Sequence, residues 1–210
     1  MINQEVIVNQ QLQERIHYDN PDFPLARFID EMDYFVDGEF LCHWHPEFEL
    51  AIILKGGIEY QVDQQVFRLH QGEGIFITSR ALHSARQLIP GSIIFNIEFP
   101  ASLFHTIGTS FLYQNYFNPS SLKKMGNWKI LPENEEGSEI LERLMHIHRS
   151  DPDKYAYELL CMEDILHIWR NLLVLLHRSF PVPTDNDEFI REHRMRKMDR
   201  TLRHAANFIS

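Results

Sequence analysis

The stretch "CHWHPEFELAIILKGG", Cys42 to Gly57, sets two histidines one residue apart ahead of a glutamate, an apolar run and paired glycines. Alternate side chains of an extended strand share a face. His43, His45 and Glu49 therefore point the same way if the pleat survives Pro46. A further histidine, His83, follows in "GEGIFITSRALHSAR". Imidazole nitrogens with one carboxylate are ligands for Zn, Ni, Fe or Mn, and three histidines plus one glutamate leave coordination positions open. The same four side chains would also serve as hydrogen-bonding walls of a metal-free ligand pocket, with Glu49 paired to Arg27 or Arg86.

Such residues need a rigid frame. Up to about residue 100 the apolar pattern has period two with turn punctuation, which predicts strands over 25–35, 48–55, 58–63, 65–70, 74–79, 82–88 and 92–99. Many short strands at close spacing point to a sandwich or barrel. In the 48–55 strand Glu49, Ala51 and Ile53 form one face and Phe48, Leu50, Ile52 and Leu54 the other. Both faces are largely apolar, so the strand is expected to be covered on both sides. Residues 101–131 show no period, and their scattered aromatics are expected to pack over the barrel.

The texture then turns helical. A short helix fits 138–149, and Asp151-Pro152 supplies an N-cap and a first-turn proline for a second helix over about 152–178. In that helix Tyr155, Leu159, Met162, Leu166, Trp169, Leu173 and Leu176 repeat as 4-3-4-3-4-3, a coiled-coil seam. Beside it runs a second apolar row, Cys161, Ile165, Ile168, Leu172 and Leu175. Two rows suggest packing against the chain's own body and against a second copy; burial inside one monomer is the simpler alternative. "SFPVPTDND" (179–187) reads as a linker. A basic helical segment follows, whose apolar stripe at Met195, Met198, Leu202 and Ile209 is expected to open a further domain.

Charge divides the same way. The 210 residues hold 20 Lys+Arg against 30 Asp+Glu, a formal −10. Residues 191–210 take six of the bases and two of the acids, leaving 14 bases against 28 acids in the first 190. An acidic body repels phosphate backbones. Any DNA affinity is therefore expected from the basic end alone, weak and lost as salt rises. Two cysteines make no disulfide framework, and neither a secretory leader nor a membrane span is legible, so a cytoplasmic protein is expected.

The full pattern, Gly38-x4-His43-x-His45-x3-Glu49-x6-Gly56 and then Gly72-x10-His83, resembles the two motifs of the cupin barrel. The second motif departs from the family: Ser79 with Ala81, or Ser79 with Arg80, stand where Pro and Gly are usual, and Gln87 replaces the common asparagine. A cupin followed by paired helices, a linker and a basic helix is similar to the AraC-type transcription regulators. The resemblance implies a mainly β fold with α, a cupin (double-stranded β-helix or jelly-roll) barrel followed by a helical dimerisation module. Its domains would be a sensor barrel over 1–105, a dimerisation module over 106–178, and over 179–210 a linker with the first helix of a truncated helix-turn-helix domain. The implied function is effector sensing and dimerisation, without catalysis. A small polar metabolite would bind among His43, His45, Glu49, Tyr60, His83 and Arg86, with Tyr60 and Arg86 assigned by strand parity. No cofactor is required, though His43, His45, Glu49 and His83 are candidate ligands for a divalent transition metal. The partners implied are the effector, a second copy, and DNA only through the missing helix-turn-helix domain, with no membrane. The alternative is a metal-dependent cupin enzyme, a dioxygenase or isomerase using the same four ligands.

Overall fold

The computed structural model describes residues 6–107, 112–117 and 126–179. The expected linker and basic helix, 180–210, lie outside the described residues. Nine strands run in chain order: β1 (Ala26–Glu31), β2 (Glu39–His43), β3 (Phe48–Lys55), β4 (Gly57–Val62), β5 (Gln65–His70), β6 (Gly74–Ile77), β7 (His83–Gln87), β8 (Ile93–Phe99) and β9 (Trp128–Ile130). They form two antiparallel sheets, one ordered β1-β8-β3-β6-β9 and the other β2-β7-β4-β5. Two helices follow, α1 (Glu135–Arg149) and α2 (Tyr157–Ser179). No helix among the described residues is long and apolar enough to cross a membrane.

The alternation read from β3 is realised on two cores. Ala51 and Ile53 face inward and join Met32, Ile58, Val62, Leu69, Ile75 and Ile94 between the sheets. Phe48 faces the other way, where its ring lies 5.0 Å from that of Trp169 on α2. Phe76, Phe99, Phe104 and Phe117 complete an aromatic shell around the same indole. Trp169 is 1% exposed, and its Nε1–H donates to the Tyr116 carbonyl at 2.8 Å, so the polar atom is satisfied as the ring is buried. The barrel and most of both helices share one compact unit, Met1–Leu175, and a second unit spans Leu176–Ser210.

Two polar locks hold the helices together. The Asp164 carboxylate of α2, 1% exposed, accepts from Arg143 at 3.2 Å and from His146 at 2.7 Å on α1. In the reverse sense, Glu139 of α1 accepts from His167 and Asn171 of α2 at 2.8 and 2.7 Å. A buried carboxylate with two side-chain donors fixes register along the pair, which apolar contact alone does not.

Several boundaries differ from the sequence reading. Strand β2 was not expected. It is short and bulged between Phe40 and His43, so its alternation is broken. Strand β9 has only three residues and no readable period. Helix α1 begins three residues early because Asn134, not a later residue, caps it by accepting from the Gly137 N–H at 2.6 Å. Asp151 does not cap α2. Its carboxylate closes a local turn by accepting from the Asp153 N–H at 3.0 Å, Ala156 takes φ 63°, and the helix starts at Tyr157. Tyr155 therefore precedes the helix and stands exposed.

One stability measurement checks the aromatic shell. Trp169→Ala removes a fully buried ring together with its hydrogen bond, and is expected to cost about 3–5 kcal/mol in urea unfolding.

Candidate functional site

The four residues read from the motif converge, by a route the sequence did not reveal. His43 ends β2 and His83 begins β7, both in the four-stranded sheet, where they are register partners. Glu49 belongs to β3 in the five-stranded sheet, and His45 sits on the crossover between the sheets. The pleat does not survive Pro46; the chain changes sheets there, and the three side chains meet because the two sheets face each other. All four are buried.

Second contacts fix the imidazoles. His43 Nδ1 lies 2.7 Å from the Leu41 carbonyl and His83 Nδ1 2.9 Å from that of Ala81. A carbonyl only accepts, so each Nδ1 carries the proton and each Nε2 is turned inward. His83 Nε2 stands 3.1 Å from Glu49 Oε2, and His45 Nε2 stands 3.5 Å from the same oxygen. His45 is 2% exposed, and among the described residues neither of its ring nitrogens makes a hydrogen bond. Ligand nitrogens of His43, His45 and His83 lie within 4.8 Å of one another, as do ligand atoms of His45, Glu49 and Glu98. Bonds of about 2.0–2.2 Å to one ion need such spacing.

The surroundings are acidic. Glu14, Asp30, Glu47 and Glu98 are buried along with Glu49. Glu98 is the register partner of Glu49 on β8, and Asn96, two residues before it, donates to Asp30 at 3.1 Å. Glu14 Oε2 stands 3.2 Å from His43 Nε2. Glu47 Oε2 is 3.7 Å from His45 Nδ1, while Glu47 Oε1 accepts from the Tyr18 hydroxyl at 2.6 Å. Burial opposes ionisation of Glu49, but the imidazoles of His45 and His83 outweigh it and hold its carboxyl below the usual range. For His83 burial is likewise outweighed by Glu49, and its pKa rises. His43 goes the other way, pushed down to about 4 by burial and then by the charge on His83. Burial first, then repulsion from Glu49, Glu14, Glu47 and Asp30, lifts Glu98 well above the carboxylate range.

Tyr60 joins the cluster. It is buried, lines the inner void, and its hydroxyl has no hydrogen-bond partner. Arg86 does not. It lies three residues from His83, so strand alternation turns it to the outer face, where its guanidinium pairs with Glu59 at 2.6 Å. Arg27 is no partner of Glu49 either; it donates to the Ile147 and Ser150 carbonyls. The inner void, walled by His43, Glu49, Tyr60, His83, Asn96 and Glu98, measures about 10 Å³. That is room for one water or ion and no metabolite. Effector-sized space lies at the barrel mouth instead, a cavity of about 640 Å³ whose walls include Glu14, Ile16, Tyr18, Pro46 and Glu47.

Sequence reading missed Glu98, Asn96, Glu47 and Glu14. The first two were legible as polar residues two apart in the otherwise apolar β8, in phase with inward Ile94. Glu14 lies in a segment with no period and carried no signal.

Residues 36–168 match the family described as AraC-like ligand binding domain. The chain is 27% identical over 194 residues to the uncharacterized HTH-type transcriptional regulator YdeC of Bacillus subtilis (strain 168), covering 91% of this chain and 65% of that protein. Among solved structures, an RmlC-like cupin from Shewanella frigidimarina NCIMB 400 is 19% identical with a TM-score of 0.33, covering 37% of this chain and 68% of the other. KdgF from a Halomonas species is 18% identical with a TM-score of 0.34, covering 37% and 71%.

The acidic interior has a pH signature. A carboxyl whose folded pKa lies above its unfolded value favours folding only below the unfolded value, and that contribution fades as pH rises towards the folded one. In chelator-treated protein, Glu98→Gln is expected to gain stability over the wild type progressively above about pH 4.5. Urea unfolding of both across pH 4–8 measures this, and parallel curves would refute it.

Proposed function

We propose that this chain, which belongs to the AraC-like ligand binding domain family, is the effector-sensing and dimerising part of a transcription regulator. The observation that carries the sensing role is the mouth cavity of about 640 Å³, which shares Glu14 and Glu47 with the buried histidine cluster. The cavity suits a small polar metabolite: carboxylates and the Tyr18 hydroxyl offer hydrogen bonds to hydroxyl or amino groups, and Ile16 and the prolines offer apolar contact. The chain spans 65% of the length of its curated relative. By analogy with that relative, whose name is that of an HTH-type transcriptional regulator, DNA reading is assigned to helix-turn-helix elements and not to the barrel.

A divalent transition metal, Zn, Ni, Fe or Mn, fits the inner cluster. His45 offers two buried nitrogens without hydrogen bonds, and the Nδ1 bonds of His43 and His83 leave each Nε2 facing the centre. His43, His45, His83 and Glu49 would hold it, and the ion would supply positive charge to an interior with five buried carboxyls. That ligand set is also what a metal-dependent dioxygenase or isomerase would use. The regulator reading is preferred because a void of about 10 Å³ leaves no space for an organic substrate beside the ion.

Dimerisation is proposed through the outer row of α2. Cys161, Ile165, Ile168 and Leu172 are buried against the chain's own body, whereas Leu159 is 70% exposed and Met162, Leu166, Leu173 and Leu176 are half-buried. Trp169, although in the same 4-3 register, is consumed by the aromatic shell and leaves this row.

Two outcomes test these readings. Leu166→Asp would bury a charge in an apolar interface, so light scattering should find folded monomers where the wild type is a dimer. A monomeric wild type would sink the dimer. Titration with neutral sugars, polyols and amines should find a compound that raises the melting temperature, by about 2.7 kcal/mol of stability at a hundredfold excess over Kd. Tyr18→Phe should weaken it; identical binding to Tyr18→Phe and Glu47→Gln proteins would remove the mouth cavity from the proposal.

A further inference from the structure

Glu98 has no part in the four-ligand set above, and its position calls for one. It stands directly opposite Glu49 as its register partner across β8 and β3. Opposed residues of an antiparallel pair share a face with Cβ atoms about 4.5–5.5 Å apart, and like charges there repel. Water does not dilute the repulsion, since Glu98 is 2% and Glu49 4% exposed. The next inward residues of the two strands, Ile53 on β3 and Ile94 on β8, are apolar and belong to the core. Two facing carboxyls on such a surface need a proton or a cation between them.

Glu49 has partners and Glu98 has none. The imidazoles of His45 and His83 stand beside Glu49. Among the described residues Glu98 makes no ion pair, and its buried Oε2 has no hydrogen-bond partner. The amide of Asn96, two residues back, donates to Asp30 instead. Both carboxyls face the inner void of about 10 Å³. Ligand atoms of Glu98, Glu49 and His45 lie within 4.8 Å of one another, and His45 also belongs to the triad with His43 and His83. Ligands on opposite sides of one ion stand about 4.0–4.4 Å apart when each bond is about 2.0–2.2 Å, so small side-chain movements close the set. His45 is the independent sign of a missing partner: it is 2% exposed, and neither ring nitrogen makes a hydrogen bond among the described residues. Charge points the same way. Three neutral imidazoles and one carboxylate leave a divalent ion with one uncompensated positive charge in a dry interior, and a second carboxylate cancels it.

We infer that Glu98 is a fifth protein ligand of the cation site, which then carries two carboxylates and leaves an octahedral ion at most one position for anything else. The inference rests on the cation reading above. A site filled in this way is closed, and its ion ties β8 to β3 through the very pair of side chains that would otherwise repel. A metabolite at the mouth would then act on the wall residues and not on the ion.

The experiment uses the full chain without a histidine tag, with Mn²⁺ as the probe, because an ion that accepts six ligands registers a fifth whereas zinc is satisfied by four. Free Mn²⁺ is read from its electron paramagnetic resonance signal, which gives the affinity, and melting curves with and without the ion report folding. Glu98→Gln keeps the shape and removes the anionic oxygen. Glu98→Met removes every donor that a hard ion accepts and stands in if the glutamine variant is unfolded. Glu142→Gln removes the same charge from an exposed position of α1. Loss of an outer partner of a ligand typically costs about 10–100-fold in metal affinity, so loss of a ligand is expected to cost about a hundredfold in the Glu98 variants and nothing in Glu142→Gln. The rise in melting temperature that Mn²⁺ gives the wild type should shrink in the Glu98 variants. A Glu98 that only holds a proton predicts otherwise, because a neutral residue then replaces a neutral acid at no loss to the ion. Wild-type affinity in either folded Glu98 variant would overturn the inference and leave the four-ligand reading standing. An equal loss in Glu142→Gln would overturn it as a general charge effect. Absence of Mn²⁺ binding to the wild type would also overturn it, and absence of Zn²⁺ binding as well would take the cation reading with it, while the effector and dimer readings keep their own tests.

Discussion

The interior of this barrel depends on compensating buried charge, and the central compensation is the 3.1 Å contact between Glu49 and His83. One residue comes from each sheet, so the pair bridges the sandwich at its polar end. A carboxylate taken out of water is tolerated only with a partner at close range, and removing one member of such a pair typically costs about 3–5 kcal/mol. Everything nearby is conditioned by that pair. The charge on His83 adds to the burial that lowers the pKa of His43, and the negative charge on Glu49 adds to the burial that raises that of Glu98. Four further acids then crowd a space that apolar side chains could have filled at lower cost. An interior of this kind is built to receive positive charge or hydrogen-bond donors.

The fold was legible where periodicity was strong. The two-sided apolar pattern of β3 correctly implied a covered strand, because an inward Ile53 and an outward Phe48 each need a core and the barrel and Trp169 provide them. It was illegible where local chemistry overrode pattern. Asp151 has the composition of a helix cap, yet its side chain is spent on the Asp153 amide two residues on, and the helix waits for Tyr157. Strand β2 is five residues with a bulge, too short and irregular for alternation to be read.

The site shows the same division. His43, His45 and Glu49 were legible from spacing and His83 from the cupin-like second motif, but the reasoning that placed the first three on one continuous strand was incorrect. Convergence arises because Pro46 lies in a crossover and the chain continues in the opposite sheet, and two inward faces of a sandwich meet as one face of a strand does. Parity failed for Arg86 on simple counting, since an odd offset from His83 puts it outside with Glu59. Glu14 could not have been found at all. Its placement beside His43 depends on two backbone hydrogen bonds to Trp44, some thirty residues away, and backbone bonds leave no trace in side-chain pattern.

Space in the barrel is divided between a closed interior and an open mouth. The histidines are walled in with about 10 Å³ to spare. The accessible volume lies outside that wall, and the wall consists of Glu14 and Glu47, each touching an imidazole on one side and the mouth cavity on the other. A ligand at the mouth that hydrogen-bonds either carboxylate changes what that carboxylate offers to His43 or His45. Buried electrostatics transmit such a change over a few ångströms with little loss, because low polarisability leaves the charges unscreened. From the cluster, the next rigid element is β3, whose outward Phe48 rests on Trp169 of α2. Coupling between two sites needs differential contact in two states. Under the proposed function the mouth carboxylates would supply the first contact, and the row of Leu159, Leu166 and Leu173 on α2 would be the surface on which a difference is read.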